Sequence, residues 1–179
     1  ASDDQERNDL LNMRDGKSHT PLKLAVQLDL VDVAKFFVQN KADISCKTKS
    51  GKDLLMVAAE YGSCNAVEWL LGEGFNPTEV NNKDKTAFGQ AVDSIELKDS
   101  SDKVLAVVNA FFKENVLTKE QKKHVVNAKD TKDWTPLMFA TYRGHTSVMA
   151  RLLEKDVEID SNYQTDVLNA LTYAMDEQE

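Results

Sequence analysis

Apolar residues in this chain come in short runs at helical spacing, and polar residues interrupt them at regular intervals. Leu22, Leu24, Ala25 and Leu28 share one helical face, as do Val33, Ala34, Phe36 and Phe37 beyond a turn at Asp29-Leu30. Leu54, Leu55 and Ala58, followed by Val67, Trp69, Leu70 and Leu71, repeat the arrangement. Two short helices, each apolar on one face, form an antiparallel pair. Neither helix can bury its apolar face alone, so successive pairs must stack.

One peptide marks the register of the stack. Thr20-Pro21-Leu22-Lys23-Leu24-Ala25 returns as Asp53-Leu54-Leu55-Met56-Val57-Ala58, as Thr86-Ala87-Phe88-Gly89-Gln90-Ala91 and as Thr135-Pro136-Leu137-Met138-Phe139-Ala140. The spacings are 33, 33 and 49 residues. A threonine opening each helix suits the N-cap, and proline after it suits the first helical turn. A fixed period of this length predicts a solenoid in which each unit packs on its neighbours.

The third unit is 16 residues longer than its neighbours, from the difference between 49 and 33. Its first helix is expected over about Ala87–Val92. A polar stretch, Ser94 to Ser101, leads to an apolar helix around Asp102–Asn115, and Thr118-Lys119-Glu120-Gln121 reads as a capping box opening an extra helix to about Val126. The extra length is either a specialised protrusion that grips a partner or an insertion that surface connections tolerate. Ser2 to Met13 is expected to form a helix covering the first unit, and Thr165–Met175 to begin a fifth.

The recurring peptide resembles the T-P-L-H-x-A of the ankyrin repeat family. The segment Asp130 to Ser161 is the most similar, with Thr135-Pro136-Leu137, Ala140, Gly144-His145, Val148 and Leu152-Leu153; Asp133 replaces a glycine and Met138 a histidine. The resemblance implies an all-α ankyrin repeat solenoid of about five units, the third enlarged. The expected limits are a capping helix at 1–14 and a repeat domain at 15–179. Its units are about 15–47, 48–80, 81–129, 130–162 and a partial 163–179.

Composition narrows the function. With a net charge of −8, non-specific attraction to nucleic acid phosphates is not expected. No apolar run approaches the roughly 18–20 residues of a membrane span. Cys46 and Cys64 are expected on opposite sides of the stack, beyond the ~7 Å reach of a disulfide, and therefore free. His19, His124 and His145 lie in different units without metal-ligand spacing to either cysteine. His145, at the family's Gly-His turn, is expected to be structural. No phosphate loop, nucleophile elbow or zinc-protease motif occurs, so no enzyme, metal or cofactor is expected.

What remains is binding. In ankyrin-like stacks the loops between units project as fingers, and fingers and first helices line one face. The residues just before the recurring peptide commonly make contacts there. Three residues before it stand Lys17, Ser50, Lys83 and Lys132; immediately before it stand His19, Lys52, Lys85 and Trp134. With Lys49 they suggest a basic stripe, or simply lysine's frequency in exposed loops. A real stripe would favour an acidic protein partner. Trp134 is the expected anchor, since tryptophan is enriched at interface hot spots, whereas Trp69 is expected in the core. Tyr61, Tyr142 and Arg143 could add contacts, the tyrosines alternatively packing on their own turns.

These readings predict a non-enzymatic protein-binding module, monomeric when free. Its sharper form is an inhibitor or immunity protein that occludes a partner enzyme such as a bacterial cell-wall hydrolase. The alternative is a targeting or scaffold region of a larger protein. Ala1-Ser2-Asp3-Asp4 at the start suggests either a trimmed chain or a mature protein after signal cleavage. The expected location is the bacterial periplasm, with the cytoplasm as alternative.

Overall fold

The structure is a computed structural model and describes residues 9–15, 19–94, 100–154 and 157–176. Among these residues there are helices and turns and no strand. After a helical turn at 9–12 come α1 (Pro21–Gln27), α2 (Val31–Gln39), α3 (Leu54–Tyr61), α4 (Cys64–Gly72), α5 (Ala87–Val92), α6 (Ser101–Phe112), α7 (Lys119–Asn127), α8 (Pro136–Tyr142), α9 (Thr146–Leu152) and α10 (Tyr163–Asp176). The expected N-terminal helix lies outside the described residues over 1–8, as does the polar stretch over 95–99.

The helices stack in two rows. First helices α1, α3, α5, α8 and α10 pack in succession, and second helices α2, α4, α6 and α9 do the same beside them. This is the all-α solenoid that the period of 33 predicts. The inner row supplies most of the core: every residue from Leu54 to Ala59 and from Ala87 to Val92 is buried. These helices are six to eight residues long, too short to persist in isolation, so burial between neighbours holds them helical.

The starts of the first helices are fixed by the residue that opens each recurring peptide. The side chains of Thr20, Asp53, Thr86 and Thr135 accept hydrogen bonds from the backbone N–H of Lys23, Met56, Gly89 and Met138. Second helices are capped differently. Ser63, at the N-cap of α4, makes no such bond. Instead Asp29, in the preceding unit, accepts from Ala66 N–H at 2.8 Å and from the Asn65 side-chain amide at 2.8 Å. Asp29 sits at φ 59°, a left-handed turn that Asp tolerates better than most residues.

Each of the first three units is also tied to the next through a carbonyl left open at the end of its inner helix. Ser63 Oγ donates to Gln27 O at 2.9 Å, and Ser94 Oγ to Glu60 O at 2.6 Å. At the equivalent Asp93, the donor is the Arg143 guanidinium at 3.2 Å.

Among the described residues, the helices α6 and α7 of the enlarged third unit pack against the stack. α6 takes the ordinary second-helix place between α4 and α9, and the extra α7 packs on α5 and α8. Val125 and Val126 bury its inner face, and Thr118 and Gln121 form the predicted capping box. α6 ends at Phe112, three residues before the expected limit, where Lys113 turns extended (φ −53°, ψ 149°). Its first residue, Ser101, is hydrogen-bonded to Nδ1 of fully buried His145 at 2.9 Å. His145 therefore has the structural place expected of it. Cys46 and Cys64 are both free, as expected, and burial raises the pKa of each thiol. Trp69, expected in the core, packs against it while half-buried, and its Nε1 donates to Glu73 at 2.9 Å.

Candidate protein-binding groove

Four fingers precede the four capped inner helices, and they share one construction. A backbone hydrogen bond closes each over five residues: Asp15 N–H to His19 O, Thr48 to Lys52, Asn81 to Lys85 and Asp130 to Trp134, at 2.9–3.1 Å. The first side chain of each finger accepts backbone N–H groups within the loop. Asp130 Oδ1, for example, accepts from Lys132 at 2.8 Å and Trp134 at 3.1 Å. The fourth position of the last three fingers needs a positive φ, met by Gly51 (76°), Asp84 (54°) and Asp133 (61°). At Gly51 a Cβ would lie 2.3 Å from Asn82 Oδ1, so a larger residue would displace the Asn82 side chain as well as strain the backbone. Fingers are also joined to one another, Asn82 N–H to Ser50 O and Thr131 N–H to Lys83 O, both 3.1 Å.

In the last three fingers the final residue meets the end of the inner helix eight residues later. His19 is at the register of this row with Gln27, Lys52 with Glu60, Lys85 with Asp93 and Trp134 with Tyr142. Lys52 Nζ is 2.6 and 2.7 Å from the Glu60 carboxylate oxygens. Lys85 is bonded to Asp93 and lies 3.7 Å from Asp130. In the fourth unit the ion pair gives way to aromatic rings: Trp134 and Tyr142 meet edge-to-face with centroids 5.5 Å apart, and Trp134 lies 5.1 Å from Phe139. Lys85 Nζ sits 4.3 Å from the Phe139 ring centre, within cation–π range. Arg143 reaches back to Asp93 at 2.9 Å.

This geometry corrects the expected basic stripe. Lys85 is buried, 9% exposed, and Lys52 is half-buried; both ammonium groups are held by carboxylates of their own unit. They form the polar floor and not a free cationic surface. His19 is likewise occupied, with Nδ1 3.1 Å from the Asp15 carboxylate. Arg143 is engaged with Asp93. The exposed lysines of the proposed contact set are Lys49, Lys83 and Lys132; among the described residues none of the three has an ion-pair partner. Lys17 lies outside the described residues. Trp134, Tyr61 and Tyr142 are all half-buried.

Two clefts open between fingers. One, of about 320 Å³, lies between the first two units and includes Lys23, Lys52, Glu60 and Tyr61. Desolvation there, ahead of the opposing pull of Glu60, lowers the pKa of Lys23. The other, of about 360 Å³, lies between units three and four, with Trp134, Phe139 and Tyr142 on one wall and Lys83 and Lys132 on the fingers. Sequence reasoning missed Glu60, Asp93, Asp130 and Phe139 as parts of this face. Their signal was the eight-residue offset from finger to helix end, visible once the register is laid out.

A model for ankyrin repeats in three copies matches residues 5–84, and one for a single ankyrin repeat matches residues 132–166. The chain belongs to the ankyrin repeat family. A similar protein is alpha-latroinsectotoxin-Lt1a of Latrodectus tredecimguttatus, 28% identical over 85 residues. The match covers 48% of this chain and 6% of that protein, so the chain spans a small part of its relative's length. Ankyrin repeats serve as protein–protein interaction modules, and the family generally works by binding and not by chemistry. Among the described residues no helix is long and apolar enough to cross a membrane, and no group of three His, Cys, Asp or Glu side chains could hold a metal ion.

Proposed function

We propose that this ankyrin repeat chain binds a protein partner along its fingers and inner helices, with Trp134 as the central anchor. The observation that carries this reading is the replacement of the ion pair by Trp134 and Tyr142 in the fourth unit. In units two and three the equivalent pair satisfies itself, which leaves little for a partner to gain. In unit four a half-buried indole backed by Phe139 borders an open cleft. Such a ring offers contact area at little entropic cost, the character of a hot-spot residue.

The finer form of the proposal is an inhibitor or immunity protein that covers the acidic cleft of an enzyme such as a bacterial cell-wall hydrolase; Lys83 and Lys132 beside the aromatic wall support an acidic contact surface. The second reading is a targeting or scaffold region, favoured by the 6% share of the similar toxin that matches this chain. Affinity capture from the source cell, compared for the unaltered protein and Trp134→Ala, tests the groove. A specific partner should be captured and lost on substitution, with a loss of about 2 kcal/mol or more in its affinity. A partner captured equally by both proteins would remove Trp134 from the site.

A further inference from the structure

The cleft between units three and four differs from the one between the first two units, which also has two more cations than carboxylates, in its wall of three aromatic rings, Trp134, Phe139 and Tyr142. It is bordered by four cations and two carboxylates, leaving two positive charges in excess. The carboxylates of Asp93 and Asp130 are already engaged: Asp93 by Lys85 and Arg143, Asp130 by Lys85 and two backbone N–H groups of its finger. The excess therefore resides on Lys83 and Lys132. These two occupy the same register position on adjacent fingers, and Thr131 N–H to Lys83 O holds those fingers together at 3.1 Å. Both side chains are exposed and without an ion-pair partner among the described residues.

We infer that this cleft recognises an acidic peptide segment of the partner, in which an Asp or Glu carboxylate meets Lys83 and Lys132 while a neighbouring aromatic or large apolar side chain packs against Trp134 and Tyr142. Both halves of this ligand are required by the geometry. Trp134 and Tyr142 meet edge-to-face and leave an aromatic wall that a further ring can extend by the same offset packing. An anion placed against that wall alone would gain nothing from the electron-rich ring faces, whereas the two lysines lie on the finger side of the cleft and supply its charge. A basic or quaternary ammonium ligand is disfavoured, because Lys85 already occupies the face of Phe139. The volume of about 360 Å³ lies at the small end of the range for ligand sites, roughly 300–1,000 Å³. That suits one or two side chains of a docked segment.

This inference rests on the groove reading above, and its test separates the two. A random peptide library is selected on the full chain and, in parallel, on the double variant Lys83→Glu/Lys132→Glu. Both lysines are exposed and, among the described residues, without an ion-pair partner, so the variant should keep its helicity and melting temperature; that is checked by circular dichroism. The unaltered protein should enrich peptides with Asp or Glu next to Phe, Tyr, Trp or Leu. A synthetic copy of an enriched peptide should lose about tenfold or more in affinity on the double variant, and also when its acids become Asn or Gln. Its binding should weaken as salt rises toward about 0.5 M. Enrichment without acidic residues, equal binding to the double variant, or no enrichment at all would each overturn the inference. The groove reading is decided separately, by whether Trp134→Ala abolishes capture of the partner.

Discussion

Lys85 holds together two units and the floor of the candidate cleft, so its removal should be costly in a predictable way. Its side chain is 10% exposed and that of Asp93 16%, so solvent screens the pair little. Lys85→Met keeps most of the aliphatic stem and deletes the ammonium. Removing one partner of a buried pair typically costs about 3–5 kcal/mol, because the other charge is left unpaired. Here the loss is smaller, since Asp93 keeps Arg143 at 2.9 Å and Asp130 keeps its two backbone donors. The expected cost is about 2–3 kcal/mol. For a chain of this size that corresponds to a fall in melting temperature of roughly 4–12 °C. Urea unfolding of Lys85→Met, Asp93→Asn and the double variant closes a thermodynamic cycle, and a coupling of about 1–3 kcal/mol is expected. A single-variant cost below about 0.5 kcal/mol, with no coupling, would show that the pair behaves as an exposed one and that the floor is not held by charge.

Three further outcomes follow from the fold. Asp29→Ala removes the cap that one unit provides for the next unit's outer helix and should cost about 1–2 kcal/mol in urea unfolding; an unchanged midpoint would mean that water replaces the cap without loss. Lys41 has φ 72° at the register of Gly74 (φ 88°) and is exposed, so Lys41→Gly should stabilise by about 0.5–1 kcal/mol by relieving left-handed strain, whereas Lys41→Ala should not. His145 is kept neutral, its pKa lowered first by burial and then by the charge of Arg143. The unfolded chain takes up the proton more readily, so stability should be intact above the ordinary value of 6.5 and fall as pH drops below it. Melting temperatures between about pH 7.5 and 5.5, with His145→Asn as control, should show a slope that the variant lacks.

The register of the chain was legible because its capping residues recur. Thr20, Asp53, Thr86 and Thr135 each cap an inner helix as the repeated peptide predicts, and α5 coincides with the predicted Ala87–Val92. The capping box at Thr118 was equally readable, since both of its bonds are local. What could not be read was which finger lysines are free. Lys49, Lys52, Lys83 and Lys85 look alike as residues in loops. Their fates differ because Lys52 and Lys85 reach Glu60 and Asp93 at the end of their own unit's inner helix, contacts decided by packing over an eight-residue gap. The place of α7 was also hidden, because docking on α5 and α8 depends on units flanking the insertion.

The bonds from one unit to the open carbonyl of the last change character at the final rung. Two are made by serine hydroxyls one atom beyond Cβ, so the gap between those units is set by short, neutral contacts. The third is made by a guanidinium at the end of a long arm, which also holds the Asp93 carboxylate. The third-to-fourth joint is thus sprung by charge, while the earlier ones are riveted by contact. Removing the charge of Arg143 should loosen that joint and leave the others stiff, and the cleft beside Trp134 is the part of the groove whose width would change.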